Sequence, residues 1–445
     1  MSTQPAPESS QELEFAALIA IDWADQKHCW KLRVTGSGTT EQGQLLNTPE
    51  AIETWAAELN LRFEGRPLAV CLEQKRGVVV AQLSKYPYLV LYPVHPTTLA
   101  RFRDAFFPSG SKGDPGDTAL LLELLTHHRD RLRRLNPDTA ETRLLQMLVE
   151  GRRKLVHEKT RCSNRLTALL KLHFPQALQW IDDIDSLMGC DLLQHWPTLA
   201  ELQRVNPAKL TKFFHQHNCR SKQRIQERID AIYLAQPATN DPALLAAGRL
   251  ATVSLARMVK ALLTSIAEFD RAIEQAMAAH PEAAIFDGLP GAGPALKPRL
   301  IAAFGTQRER YSSAGELQSY CGIAPVTKAS GKSSSTHFRH ACPKFLRQTF
   351  HEFAALSIRK SVWARLYYQH QRSKAKGHHA AVRALAFKWI RILFRCWQTR
   401  TPYHEPTYLL ALQKHNSPLH KLVPTATPLQ WETVGGFQKL SLKNP

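Results

Sequence analysis

Acidic residues are almost missing from one long stretch of the chain. Between Glu316 and Glu405 the only acid is Glu352, while residues 317–404 contain 16 lysines and arginines. That block alone carries +15 of a formal net charge of +20. Ordinary surfaces mix both signs, so a block of one sign argues against an inert solvated face. It points to a polyanionic partner, nucleic acid first and an anionic membrane surface second. Paired cysteines are missing too. Cys29, Cys71, Cys162, Cys190, Cys219, Cys321, Cys342 and Cys396 are scattered, with no Cys-x-x-Cys among them. That pattern excludes a disulfide framework or zinc cluster and implies reduced thiols. "HQHNC", His215 to Cys219, has no second ligand pair at useful spacing and reads as a structural or surface segment. No apolar run approaches the ~18 residues of a membrane span. The opening "MSTQPAPESSQELE" is polar and acidic, unlike a signal peptide. The expectation is a soluble, cytoplasmic protein with no membrane partner.

What the 445 residues do contain falls into blocks. Residues 1–13 read as a disordered arm. From 14 to 137, buried-strand runs such as "FAALIAID", "RPLAVCLE" and "PYLVLYPV" alternate with helical segments, the pattern of an α/β layer. Residues 138–280 are helical, and two long amphipathic stretches flank shorter helices. They predict an antiparallel coiled coil with a helical insertion, about 174–235, that has no evident catalytic role. Residues 281–400 read as a mostly α-helical domain with Gly/Pro turns, and 401–445 as a loosely ordered Pro-rich tail.

Three motifs carry chemistry. The first is acidic. Asp22 and Glu73 end strands, and Asp114 and Asp117 stand three apart where a helix starts after "SGSKG". Residues at i and i+3 share a helix face, so the four carboxylates can meet at one sheet edge. Such a set suits two divalent ions roughly 3.5–4 Å apart clamping a phosphodiester, and hard oxygen donors select Mg²⁺ or Mn²⁺. Singly, each is an ordinary turn or cap residue. Asp25 and Asp104 are weaker neighbours.

The second motif, "FDGLPGAGPALKPRLIAAFG", resembles a helix-hairpin-helix. Gly291 and Gly293 would expose backbone N–H groups to a phosphate beside Lys297, positioning a duplex without reading its sequence. The third is "KASGKSSSTHFRH", whose serines lie among Lys328, Lys332 and Arg339. "GKS" is no P-loop, since Val326 stands where the motif needs its first glycine. "HHRD" at His127–Asp130 echoes a kinase loop without a glycine-rich loop to support it. A serine hydroxyl needs activation to attack, and on these residues alone a phosphate-binding loop is the simpler expectation.

Taken together, "IAIDWADQKH", "CLEQKRG", "GDPGDTALL" and "LPGAGPALKPRLIAAFG…YCGIAPVTKASGKS" resemble the IS110 (Piv/MooV) insertion-sequence transposases over about residues 15–400. The resemblance implies an RNase H-like (RuvC-like) N-terminal domain, a central coiled coil and a C-terminal helix-hairpin-helix domain. It implies an acidic tetrad of Asp22, Glu73, Asp114 and Asp117, and Ser330 as nucleophile in the family's Ser-Gly step. It further implies donor and target DNA, a structured non-coding guide RNA, and a dimer or tetramer whose subunits share sites. A metal-dependent nuclease or Holliday-junction resolvase that never uses the serine would need only the acids. A nucleic-acid-binding protein without activity would need neither.

Overall fold

A computed structural model describes residues 14–73, 77–106, 114–331 and 333–420, without the side chains of Phe106, Asp114 and Pro115. The N-terminal arm, the "SGSKG" loop, Lys332 and the tail beyond 420 lie outside the described residues. The chain forms two compact units, 1–137 and 138–445.

The first unit is a mixed α/β layer. Its elements are β1 (Ala17–Asp22), β2 (Lys27–Val34), β3 (Thr40–Leu46), α1 (Pro49–Arg62), β4 (Leu68–Leu72), α2 (Val78–Leu83), β5 (Leu89–Pro93), α3 (Pro96–Phe106) and α4 (Asp114–His127). The five strands lie in the order β3-β2-β1-β4-β5. β2 is antiparallel to both its neighbours, whereas β1, β4 and β5 run parallel. β1 and β4 are apolar at nearly every position because helices cover both faces. Ile19, Ile21 and Val70 pack with Ile52, Trp55 and Val79 from α1 and α2. Leu18, Ala20 and Cys71 pack with Leu99, Leu121 and Leu125 from α3 and α4.

The second unit is mostly helical. α5 (Ala140–His173) and α11 (Pro242–Ala278) enclose α6 (Ala177–Trp180), α7 (Leu187–His195), α8 (Leu199–Gln203), α9 (Pro207–Gln216) and α10 (Lys222–Leu234). α5 and α11 are antiparallel partners. Thr142 Oγ1 meets His280 Nε2 at 3.0 Å near one end, Arg152 holds Asp270 at 2.5 Å, and His173 Nε2 meets Thr252 Oγ1 at 3.3 Å near the other. The inserted helices have a core of their own, with Phe213, Phe214 and Ile229 packed on Leu166 and Leu170 of α5.

α11 is apolar on average without containing a continuous apolar run. It is one helix, among the described residues, long and apolar enough to cross a membrane by length and composition, with a window of mean hydropathy 1.4. Gly248, Arg249, Thr252 and Arg257 interrupt any continuous run. Its buried residues, among them Leu255, Val259 and Ile266, form a stripe along the helix.

Beyond α11 come a four-residue 3-10 turn (Ala283–Phe286), α12 (Lys297–Phe304), α13 (Ala314–Tyr320), β6 (Val326–Ser330), β7 (Ser333–His337), α14 (Lys344–Lys360), α15 (Val362–Ser373), α16 (His378–Thr399) and α17 (Glu405–Lys414). Trp363, Trp389, Trp397, Phe304, Phe350 and Phe353 form the core of this part. α17 corrects the expectation of a loose tail from 401. Trp363 Nε1 donates to Tyr403 Oη at 2.8 Å, and Tyr408 packs on Trp363 at 5.0 Å, so aromatic anchoring outweighs the proline content.

Candidate active site and nucleic-acid interface

Parallel pairing of β1 with β4 sets Ile21 opposite Leu72. Asp22 and Glu73 are the next residues along, so they stand at neighbouring strand ends on the carboxyl-terminal edge of the sheet. Strand alternation puts Asp22 in phase with Leu18 and Ala20, and Glu73 in phase with Ala69 and Cys71, on the face that α4 covers. The turn after Asp22 is pinned, because the Ala24 N–H donates to His28 Nδ1 at 3.1 Å. Burial holds the His28 imidazole below its ordinary pKa, against the opposing influence of the Asn47 side chain.

α4 runs back along β1. Arg129, just past its end, lies 5.1 Å over the ring of Phe15, just before β1. The first turn of α4 therefore faces the strand ends that carry Asp22 and Glu73. Asp117 lies in that turn and is 6% exposed. Arg103 of α3 donates to Asp117 Oδ1 from Nε at 2.9 Å and from Nη2 at 2.5 Å. Asp114 begins α4, and its side chain is outside the described ones. Among the described residues no group of three His, Cys, Asp or Glu side chains is gathered closely enough to hold a metal ion. Three of the acids share one edge by backbone placement, but their side chains are not gathered there, and Asp117 is held by Arg103. Arg103 was not legible from the sequence, where "RFRDAFF" offers several equivalent charges and no partner.

"KASGKSSSTH" is a β-hairpin and not the loop that its polarity suggests. β6 and β7 pair antiparallel from Val326↔His337 to Ser330↔Ser333, and Gly331 follows Ser330 out of the strand. Gly331 has φ +54°, the left-handed region that two-residue hairpin turns require. Opposed residues share a face, so Ser330, Ser333, Lys328, Ser335 and His337 lie together. On that face Ser335 Oγ and His337 Nε2 are 2.9 Å apart. The described residues from Thr327 to Phe338 are exposed, Ser330 among them.

The base of the hairpin is strongly basic. Arg339 is tied down structurally, with Nε donating to the Ala324 carbonyl at 3.2 Å and Nη2 to the Pro325 carbonyl at 3.4 Å. Arg347 and Arg383 each lie 4.9 Å from the ring of Phe338. Burial, then Arg347, pushes the Arg383 pKa down.

The glycine loop also differs from the expected hairpin. A 3-10 turn precedes it where a helix was expected. Gly291 has φ +86° and lies against the backbone of Leu356 and Ser357, where an added Cβ would approach to 2.8 Å. Its lack of a side chain is thus explained by packing. Gly293 is open, and its carbonyl accepts from the Leu296 and Lys297 N–H groups at 2.9 and 3.1 Å. Lys297 is ion-paired with Asp287.

Two family models match this chain in sequence order. One is described as a DEDD transposase of the IS110 type and covers residues 19–175, which hold Asp22, Glu73, Asp114 and Asp117. The other is described as "Transposase IS116/IS110/IS902 family" and covers residues 283–369, which hold the glycine loop and Ser330. A Streptomyces coelicolor protein named as candidate transposase of the IS117 mini-circle is 28% identical over 404 residues, 88% of this chain and 97% of that protein. An uncharacterized 44.8 kDa protein of insertion element IS116 from Streptomyces clavuligerus is 26% identical over 84% of this chain and 93% of its own length. An uncharacterized 42 kDa protein of IS900 from Mycobacterium paratuberculosis is 26% identical over 80% and 85%.

A mixed α/β sheet unit followed by a mostly helical one, with both matches in that order, defines a transposase of the insertion-sequence type. The chain belongs to the IS110/IS116/IS902 family.

Proposed function

We propose that this protein cuts and rejoins DNA to move an insertion sequence, with Ser330 as nucleophile, an acidic tetrad as metal site and a structured RNA as guide. The observation that carries the proposal is the position of Ser330. It ends a strand at the tip of an exposed hairpin, inside the stretch that matches the transposase family. Asp22, Glu73, Asp114 and Asp117 would hold Mg²⁺ or Mn²⁺, which when bound polarises a scissile phosphate.

The residues of the chain then do the following. The Ser330 hydroxyl attacks phosphorus and gives up its proton. The P–O3′ bond breaks, and the 3′-oxygen leaves as a free hydroxyl after taking a proton. The 5′-phosphate stays on Ser330 as a phosphodiester. Attack by another 3′-hydroxyl reverses the step, so rejoining needs no external energy source. Lys328, on the same hairpin face, and Lys332, two residues after Ser330 in the sequence, supply positive charge to the attacked phosphate. Gly293 and Lys297 remain candidates for backbone contact, and Arg339 is better suited to holding the hairpin base. RNA pairing would supply sequence recognition, leaving shape and backbone to the protein. Subunits of a dimer or tetramer would share sites, acting on DNA in the cytoplasm.

The test is to incubate the full chain with Mg²⁺, the RNA transcribed beside its element, and DNA carrying donor and target sites. A covalent protein–DNA adduct is expected, and Ser330→Ala should remove it together with recombination. An adduct that survives Ser330→Ala would sink the nucleophile assignment. Cleavage without any adduct would favour a metal-dependent nuclease that uses only the acids.

A further inference from the structure

A groove of about 370 Å³ lies in the helical unit, away from the serine hairpin residues. α5 lines it with Arg152, Arg153 and His157, α11 with Asp270, α12 with Arg299 and α14 with Glu352. Its apolar floor includes Val149, Val156 and Ile273. The volume is within the range of roughly 300–1,000 Å³ typical of small-ligand sites.

The charges in this groove do not cancel. Asp270 is occupied by Arg152, through Nε at 2.5 Å and Nη2 at 3.1 Å. Glu352, the single acid of the long basic block, accepts from Arg299 Nη1 at 2.5 Å and from Gln348. Arg153 is left over. It makes no ion pair among the described residues, and its guanidinium lies 5.8 Å from the ring of Phe345, which Arg299 also approaches at 5.6 Å. Burial, then Arg299, pushes the Arg153 pKa down, against the opposing pull of Glu352. Arg299 Nη2 is buried with no hydrogen-bond partner. A half-buried cation with no ion-pair contact of its own, beside an unsatisfied guanidinium nitrogen, is costly unless an anion completes it.

We infer that this groove binds one nucleotide of a single-stranded nucleic acid, with its phosphate on Arg153 and Arg299 Nη2 and its base or sugar on the apolar floor. Arginine suits this ligand because its planar fork matches phosphate oxygens. An apolar wall suits a base that is out of its stack. Pro294 and Ala295 of the glycine loop line the rim, so a strand seated here would continue along that loop.

The inference rests on the nucleic-acid partner proposed above and not on the serine chemistry. Binding can therefore fail while adduct formation survives, and the reverse. The experiment measures fluorescence anisotropy of the full chain with labelled single-stranded RNA and DNA oligonucleotides over a range of salt. Arg153→Gln is expected to weaken binding about tenfold, the size of one charged hydrogen-bonding partner. It should also reduce the slope of log affinity against log salt by about 0.7, the loss of one single-strand phosphate contact. Arg153→Lys should recover the slope but only part of the affinity. Loss on RNA alone assigns the groove to RNA, and loss on DNA alone assigns it to DNA. Unchanged affinity and slope on both overturns the inference.

A second measurement needs no variant to fold. Wild-type protein is treated with an arginine-modifying dicarbonyl, with and without saturating oligonucleotide, and Arg153 is followed by peptide mass spectrometry. Protection is expected. Equal modification with and without oligonucleotide would overturn the inference independently.

Discussion

Asp22 and Asp117 lie on elements that reach the same sheet edge, but their surroundings separate what their replacement should do. Asp117 is buried and takes two hydrogen bonds from Arg103. Breaking a buried pair by removing one partner costs about 3–5 kcal/mol. Asp117→Ala should therefore lower the urea midpoint markedly as well as abolish recombination. Asp22 is only partly buried at a strand end, so Asp22→Asn should abolish recombination with little change in the same midpoint. Equal destabilisation by both would mean that the edge is merely structural. His351 gives a pH handle. Burial, then His379, Arg383 and His378, holds its pKa at about 4, against Glu352. It is therefore neutral in the fold, whereas the unfolded chain takes up the proton near the ordinary value of 6.5. Stability should fall as pH drops from about 6.5 towards about 4. Thermal unfolding across that window should show a weaker dependence in His351→Gln.

Elements differed in how plainly the sequence announced them. β1, β4 and β5 were legible as apolar runs because both of their faces are covered. β3, "TEQGQLL", was not, since only Leu45 of that edge strand is buried. β6 and β7 were missed for a stronger reason. A ribbon of serine, threonine and lysine with little covered on either face offers no hydrophobic period to detect. The strand-end acids could be picked out because a charge closing a buried run is conspicuous. Arg103, Arg153 and Arg299 could not, because their meaning lies in partners far away in the chain. The hairpin has a test of its own. Gly331 needs a left-handed φ that costs a β-branched residue roughly 1–2 kcal/mol. Gly331→Val should disturb the turn next to Ser330 and reduce adduct yield at least tenfold. The urea midpoint should stay near wild type, because little of the hairpin is buried. An undiminished adduct would show that turn geometry does not position the serine.

The whole molecule has its acids and its serine in different units, matched by different family models. Its net charge of +20 is concentrated in the second unit. Affinity for nucleic acid should therefore fall steeply with added salt, linearly on a log–log plot. A flat salt response in a filter-binding titration would contradict a phosphate-dominated interface.

The openness of the hairpin bears on how the protein avoids doing harm. No hydrogen bond joins Ser330 Oγ to a base among the described residues, and its cross-strand neighbour Ser333 is an equally weak acid. A copy of the chain drifting along a chromosome therefore carries a blunt weapon. If Ser330 is the nucleophile proposed above, no described residue of the hairpin primes its hydroxyl, and strand breakage would wait until an assembly supplies a base. Under that mechanism stray nicks would be limited by assembly, and the same exposure would let a linked strand end swing away to a new partner.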